Sequence, residues 1–291
     1  MSTDKTGLGD RMKSYEKAYT SARAMPLLPV IARLDGKAFH TWTKGLARPF
    51  DASFHRIMDA TTFELVKETN AVVGYTQSDE ITLVFYSPDT RSQIFMDGKL
   101  AKLTSILASM CTAYFRGAVL DECLGLLQSD RDKSLLLQNK PFALFDCRVF
   151  QVPTKEEVVN CLLWREQDAS RNSVQSAAQS FFSNKDLYKK STKEMQEMMF
   201  SEYGVNWNDY MDREKKGAYF RRVKKMLKFT TDEIDRLPAM HEARTNPGLE
   251  VLRTNVELLG MPPLQRIANT VDVIFEGKPF LLRKNEKKNE R

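Results

Sequence analysis

The sequence predicts an α/β fold of the α+β kind: a split ferredoxin-like βαββαβ sheet followed by a helical extension. Three observations lead there. Val30-Ile31-Ala32 is apolar with no polar alternation, as in a central strand covered on both faces. The strand-like runs "AVVGYT" and "ITLVFY" are separated only by Gln77-Ser78-Asp79-Glu80, which reads as a hairpin. Helix-period segments stand before and after that hairpin, so the elements alternate.

The first strand, Pro29 to Asp35, ends by delivering a carboxylate directly before Gly36. In "FDASFHRIMDATTFELVKETN", Phe54, Ile57, Met58, Thr61 and Leu65 recur at helical spacing behind an Asp51 cap. The hairpin follows, then a long helix across "FMDGKLAKLTSILASMCTAYFRGA" and a strand in "FALFDCRVF". In this topology the third strand lies between the first two and antiparallel to them, so the end of strand one meets the hairpin tip. Asp35 and Asp79 therefore come together, with Glu80 adjacent. Carboxylates so crowded repel unless protons or cations are supplied. An oxygen-only set suits Mg²⁺, which takes one or two carboxylates plus substrate phosphate oxygens. A pair of Mg²⁺ ions clamps the attacking and leaving oxygens of an in-line displacement, which points to nucleotidyl transfer or nucleotide cyclisation. The turn in "GKAFHTW" offers backbone N–H groups to a triphosphate, and Lys37, His40, Arg48, Lys99 and Lys102 are candidate cations. Taken singly, the Asp-Gly turn and the polar hairpin tip are ordinary features. One topology joins them.

Composition sets the outer bounds. The 291 residues are 42% hydrophobic and 28% charged, enough for one large domain or a core with an appended helical part. A net charge of +6 favours a polyanionic partner such as nucleic acid. Four cysteines without C-x-x-C spacing and three histidines suggest neither a zinc site nor a disulfide framework, and reducing cytosol is the expected, cytoplasmic location. The N-terminus has no apolar signal region and no apolar run approaches a membrane span, so no membrane partner is expected. The expected organisation is an N-terminal segment (1–28), a sheet core carrying the carboxylates (29–153), a helical extension with short strands and a polyanion-contacting surface (154–283), and a charged tail (284–291).

The strings "RLDGKAFH", "RPFD", "GYTQSDEITLVF", "KLAKLTSILAS", "FDCRVF" and "WREQDASRNS", followed by "FSEYGVNWN" and "KKG", stand in the order seen in the tRNA-His guanylyltransferase family. From about Pro29 to Gly217 the chain resembles that family. The resemblance implies a polymerase- and cyclase-like palm that adds nucleotides in the reverse, 3′–5′ direction to tRNA 5′ ends, and a homotetramer. By position it implies that Asp35 and Asp79 bind metal and that the Gly36 carbonyl completes the coordination. Lys37, Ala38, Phe39 and His40 would wrap the triphosphate, and Ser78, Lys99 and Lys102 would contact nucleotide phosphates. Glu80 is the acid beside the second aspartate and a candidate catalytic residue with Asp35 and Asp79. Arg48 stands where eukaryotic members carry lysine, which keeps the charge and changes its geometry.

One departure separates branches of the family. Eukaryotic enzymes that add one guanylate to tRNA-His carry His-Ile-Asn-Asn where this chain has Ser170, Arg171, Asn172 and Ser173, so only Asn172 is retained. That pattern, with "RPFD", is similar to the bacterial and archaeal branch that repairs truncated 5′ ends against the opposite strand. The expected activity is template-dependent addition of nucleoside triphosphates, GTP among them, after ATP transfers AMP to a 5′ monophosphate. The alternative is single guanylate addition to tRNA-His; a cyclase or a non-catalytic tRNA-binding protein ranks behind both.

The second half differs in texture. "REKKGAYFRRVKKMLK", Arg213 to Lys228, holds eight Lys or Arg and one acid. Lys215, Lys216, Arg221, Arg222, Lys224 and Lys225 are candidate tRNA contacts through phosphate, with a solvated amphipathic helix as the other reading. "TTDEIDRLPAM" predicts a capped short helix ending at proline, and "PPLQRIANTVDVIFEG" a further short strand.

Overall fold

The computed structural model describes residues 7–126, 131–246 and 248–283. The expected charged tail lies outside them. In chain order the elements are α1 (Gly7–Thr20), β1 (Val30–Gly36), the single turn α2 (Phe39–Trp42), α3 (Ala52–Thr69), β2 (Val73–Gln77), β3 (Glu80–Phe85), α4 (Leu100–Leu126), α5 (Arg131–Gln138) and β4 (Phe145–Gln151). Then come α6 (Lys155–Ala178), α7 (Thr192–Tyr203), α8 (Asp212–Lys216), β5 (Ala218–Lys228), α9 (Thr231–Arg236), α10 (Glu242–Thr245) and β6 (Glu250–Leu258).

One antiparallel sheet carries all six strands in the order β4-β1-β3-β2-β5-β6. Its first four strands have the split βαββαβ arrangement expected from the sequence. Helices α3 and α4 cover one face, where Val30, Ala32 and Leu34 meet Ile57, Leu65, Leu107 and Phe115 in the main core. On the other face Ile31, Tyr75 and Val84 pack with Val158 and Leu162 of α6 and with Tyr219. Both faces of β1 are thus buried, which explains its unbroken apolar run.

The Asp51 cap is real: its carboxylate accepts from the Phe54 N–H at 3.0 Å, a cap of the kind that contributes about 1 kcal/mol. The second helix starts later than the periodicity suggests, because Phe95–Gly98 forms a separate tight turn with left-handed Met96 and Asp97 before Leu100. By length and mean hydropathy α4 is long and apolar enough to cross a membrane, which corrects the reading that no run comes close. Its stripe of Leu103, Leu107, Cys111, Phe115, Val119 and Cys123 lies instead on the sheet.

Beyond residue 153 the organisation differs from a helical extension. The run from Arg213 to Lys228 is a helical turn, a break at Gly217, and the eleven-residue strand β5. Ala218–Arg221 pair with β2, the Arg222 N–H still donates to the Val72 carbonyl at 3.3 Å, and Val223–Lys228 continue onward paired with β6 as a two-stranded arm. The palm sheet therefore runs across the expected domain boundary. The capped helix in "TTDEIDRLPAM" is α9, with Thr230 and Glu233 as its capping box. The strand expected in 262–277 is not formed: Leu264–Arg266 and Asp272–Glu276 are helical turns, and Ile267 makes only an isolated bridge to Leu282. Helix α1 buries no residue and presents Leu8, Met12, Tyr15 and Tyr19 as an exposed stripe.

Candidate active site

The end of β1 meets the β2–β3 hairpin tip as the sequence implied. Asp35 is directly opposite Glu80 in the ladder, and the Gly36 N–H donates to the Asp79 carbonyl at 3.2 Å. Two residues, Ser78 and Asp79, make the tip, with Ser78 in the left-handed region at φ 46°. The Ser78 hydroxyl donates to Asp79 Oδ1 at 3.0 Å, which orients the carboxylate. Burial raises the Asp79 pKa above the ordinary carboxylate value, and the charge of Asp35 adds to the shift. On the other side of β1, Asp146 lies opposite Asp35, and Arg148 spans both carboxylates at 3.8 and 3.5 Å. The donor set, two carboxylates and the Gly36 carbonyl, is oxygen-only, and Arg148, shared with Asp146, leaves room for the charge of a hard divalent cation. Among the described residues no group of three or more His, Cys, Asp or Glu forms a metal cage. Mg²⁺ held by one or two carboxylates plus substrate phosphates needs none.

Glu80 has a different occupation. Its two oxygens accept from Arg165 Nε and Nη2, both at 2.7 Å, and Arg165 also reaches Asp168 at 2.9 Å. This pair is buried, and breaking such a pair costs about 3–5 kcal/mol. Glu80, the candidate catalytic acid, thus has both oxygens engaged and anchors α6 to the hairpin.

Gly36 is explained by packing. A Cβ there would enter the ring of Phe39, which is buried among Trp42, Phe54, Phe115 and Phe145. Phe39 therefore offers only its backbone to a ligand. The Lys37 N–H donates to the Leu144 carbonyl at 2.8 Å, so two amides of the expected phosphate loop, those of Gly36 and Lys37, are committed to the fold. Ala38, left-handed at φ 56°, turns the chain into α2, with Lys37, Ala38 and His40 exposed.

Two cavities meet at the hairpin tip and share Gln77, Ser78 and Asn172 as walls. One, about 330 Å³, lies between α2, the Arg48–Asp51 loop and α6, and is lined by His40, Arg48, Phe50, His55 and Ser173 among others. Its size lies in the range of small-molecule sites. Asp51 closes it by accepting from the Ala47 N–H at 2.9 Å and pairing with Lys133 at 3.1 Å. Burial and the charge of Arg213 push the His55 imidazole down to about 4, with Asp51 opposing the shift. The second cavity is an open cleft over Asp35 and Asp79, bounded by Arg33, Arg148 and Trp164.

Several expected site residues are elsewhere. Phe95 stacks on Phe85 at the far end of the sheet from the hairpin tip, and Lys99 follows it, bridged to Arg23. Five residue steps of β1 separate that end from Asp35, about 17 Å, so Lys99 and Lys102 do not reach the carboxylates within this chain. Lys215 and Lys216 pair with Asp212 at 3.5 Å, and Lys215 also donates to the Asn208 carbonyl. Arg221 is buried, donates to the Ile274 carbonyl at 3.0 Å, and lies over Gly277, which at φ 71° has no room for a side chain. Arg222 reaches the Asn70 carbonyl at 3.4 Å and Lys225 pairs with Glu257 at 2.5 Å. Of those six candidate tRNA contacts, Lys224 alone is exposed without an ion pair among the described residues. Asn172 does face both cavities. Ser173 beside it is buried and accepts from Trp207 Nε1 at 3.0 Å, while Arg171 pairs with Asp168.

Sequence reasoning missed Arg148, Trp164, Arg165 and His55. The signal for Arg148 was present: strand period two puts it on the face of Asp146 and Asp35. Arg165 and Asp168 sit at i,i+3 on one helix face.

The model of the tRNAHis guanylyltransferase family matches residues 9–153. A solved bacterial tRNA(His) guanylyltransferase-like protein in complex with ATP is 35% identical, with a TM-score of 0.67, and the match covers 74% of this chain and 88% of that one. The chain belongs to the tRNA-His guanylyltransferase family. A second solved structure, of a bacterial tRNA(His) guanylyltransferase-like protein in complex with GTP, is 28% identical with a TM-score of 0.65, covering 89% and 94% of the two chains. An uncharacterized protein of Acanthamoeba polyphaga mimivirus is 30% identical over 74% of this chain and 77% of its own length. The Saccharomyces cerevisiae tRNA(His) guanylyltransferase is 25% identical over 70% and 86%. Family members are nucleotidyltransferases of tRNA processing, and the antiparallel sheet with flanking helices is their palm-like fold.

Proposed function

We propose that this chain repairs tRNA 5′ ends by template-dependent 3′–5′ nucleotide addition. The observation that carries the reading is the meeting of Asp35 and Asp79 in an open cleft that shares Gln77, Ser78 and Asn172 with a nucleotide-sized cavity. The bacterial complexes with ATP and GTP support nucleotide binding by this chain, and the cavity beside the hairpin tip has the size for it. The "SRNS" departure at 170–173 supports repair over single guanylate addition: Asn172 alone is kept of the His-Ile-Asn-Asn pattern, and Ser173, the other of the four that lines a cavity, is engaged by Trp207, so pairing with the opposite strand supplies the choice.

The reaction runs in two transfers. A 5′-monophosphate oxygen of the RNA attacks the α-phosphorus of ATP and pyrophosphate leaves. The 3′-hydroxyl of the incoming triphosphate then attacks the RNA 5′ phosphorus and AMP leaves; a 5′ triphosphate skips the first transfer and expels pyrophosphate. Asp35, Asp79 and the Gly36 carbonyl would hold two Mg²⁺ ions, which supply charge neutralisation and a lowered pKa for the attacking hydroxyl. The chain itself does the positioning. Ser78 orients Asp79, His40 and Arg48 meet phosphates at the mouth of the enclosed cavity, and the Glu80–Arg165 pair keeps the hairpin tip fixed under α6. No protein nucleophile is needed. A cytoplasmic homotetramer fits the reading, and the uncovered α1 stripe is a surface such an assembly would bury.

The test uses tRNAs lacking their first nucleotide, with the opposing base set in turn to A, C, G and U, together with ATP and all four triphosphates. The Watson–Crick partner should be added each time, and Asp35→Ala or Asp79→Ala should abolish both transfers while the fold survives. Guanylate added whatever the opposing base would replace repair with tRNA-His maturation.

A further inference from the structure

We propose that the indole of Trp164 is the stacking platform for the terminal base of the RNA, which enters the cleft along the open edge of β4. The inference rests on the nucleotidyl-transfer reading and assigns its RNA-side contact. Trp164 is 48% exposed, a large apolar surface left in solvent on a helix whose next-but-one residue, Leu162, is fully buried. It lines the same cleft as Asp35 and Asp79 and does not line the enclosed cavity.

Two guanidinium groups lie against the ring. The Arg165 guanidinium lies 4.5 Å from its centroid, itself fixed by Glu80 and Asp168, and Arg33 lies at 5.5 Å. A rigid ring backed by guanidinium groups loses little entropy when a base stacks on it, and base–aromatic stacking is tolerant of base identity. That tolerance is what a template-directed enzyme requires of its RNA contact, because the terminal base differs between substrates.

The approach route follows from β4. Among the described residues it pairs only with β1, so its outer edge is open, and its residues on the Asp35 face, Asp146, Arg148 and Phe150, are exposed. Arg148 and Arg33 sit between that edge and Trp164, where backbone phosphates would pass. The cleft's carboxylates do not repel such a guest: Glu80 and Asp168 are neutralised by Arg165 and Arg171, and Asp35 and Asp79 are the proposed cation holders. The two substrates thus reach the hairpin tip from opposite sides, the triphosphate from the enclosed cavity and the RNA from the open cleft.

Intrinsic fluorescence tests this without turnover. The chain has three tryptophans: Trp42 is buried and Trp207 is tied to Ser173. Titrating a 5′-truncated tRNA into the whole protein with no nucleotide present should quench emission, and Trp164→Phe should abolish the quench while binding tRNA within about threefold of wild type. Trp164→Ala should weaken tRNA binding roughly five- to a hundredfold, raise the KM for RNA more than it lowers kcat, and leave ATP affinity unchanged. Quenching that survives in Trp164→Phe, an equal quench by ATP alone, or wild-type tRNA binding by Trp164→Ala would each overturn the proposal. Because the binding readout involves no addition, it stands or falls separately from the repair assay.

Discussion

Asp79 and Glu80 are neighbours in sequence with opposite fates. Asp79 sits at the turn, half-buried, its pKa raised by burial and by Asp35, which is unfavourable until a cation arrives. Glu80 begins the strand one residue later and is consumed by Arg165. His55 offers a pH test of the enclosed cavity. Its folded-state pKa, about 4, lies below the unfolded value of about 6.5, so as pH falls through that window the unfolded chain takes up a proton that the folded one refuses. Stability should therefore fall between pH 6.5 and 4, by on the order of 3 kcal/mol from this residue. Urea denaturation at a series of pH values should show that loss in wild type and not in His55→Gln; parallel profiles would mean that His55 is not held neutral.

The β5–β6 arm shows how an element redistributes charge that looks uniform in sequence. The period of two in β5 sends successive basic residues to different faces, and most are met by a neighbour: Arg221 by Ile274, Arg222 by Asn70, Lys225 by Glu257. Lys224 and Lys228 remain exposed without an ion pair among the described residues. Replacing these two with glutamine should reduce the salt slope of tRNA binding by up to about two, near 0.9 per phosphate contact, with stability unchanged. Arg221→Gln should instead leave the slope alone and cost about 1–3 kcal/mol of stability, because the Ile274 carbonyl loses its buried donor. Salt titrations of binding and denaturant melts separate the two. A slope unchanged by the Lys224 and Lys228 pair would remove the arm from the RNA surface.

At the scale of the molecule, one sheet serves two purposes. Its interior strands bring the carboxylates together, and its extension by β5 and β6 joins the second half of the chain to the first. Helix α1 remains outside this economy: fourteen residues that bury nothing are a marginal helix alone, and its Leu8, Met12, Tyr15 and Tyr19 stripe awaits a partner. If a homotetramer covers it, Met12→Glu with Tyr15→Glu should give smaller species by light scattering while the palm keeps its melting transition. A wild-type protein that is monomeric at micromolar concentration would rule out that use of the stripe.

By itself the sequence determined the palm and its carboxylate pair. β1 is apolar on both faces, Asp51 caps α3, and a short polar run closes the β2–β3 hairpin, so local pattern and one topological rule sufficed to place Asp35 beside Asp79. Only the tertiary structure decided which charges are available. Glu80 was lost to a partner 85 residues away and Arg221 to a carbonyl 53 residues away. Lys99 and Lys102 were carried to the far end of the sheet by the length of β3. The same holds for Trp164, an unremarkable residue of a helix until the fold sets it over the cleft. Hydrophobic periodicity is a local property and can be read along the chain, whereas the pairing of a charge depends on which distant group the fold brings within about 4 Å.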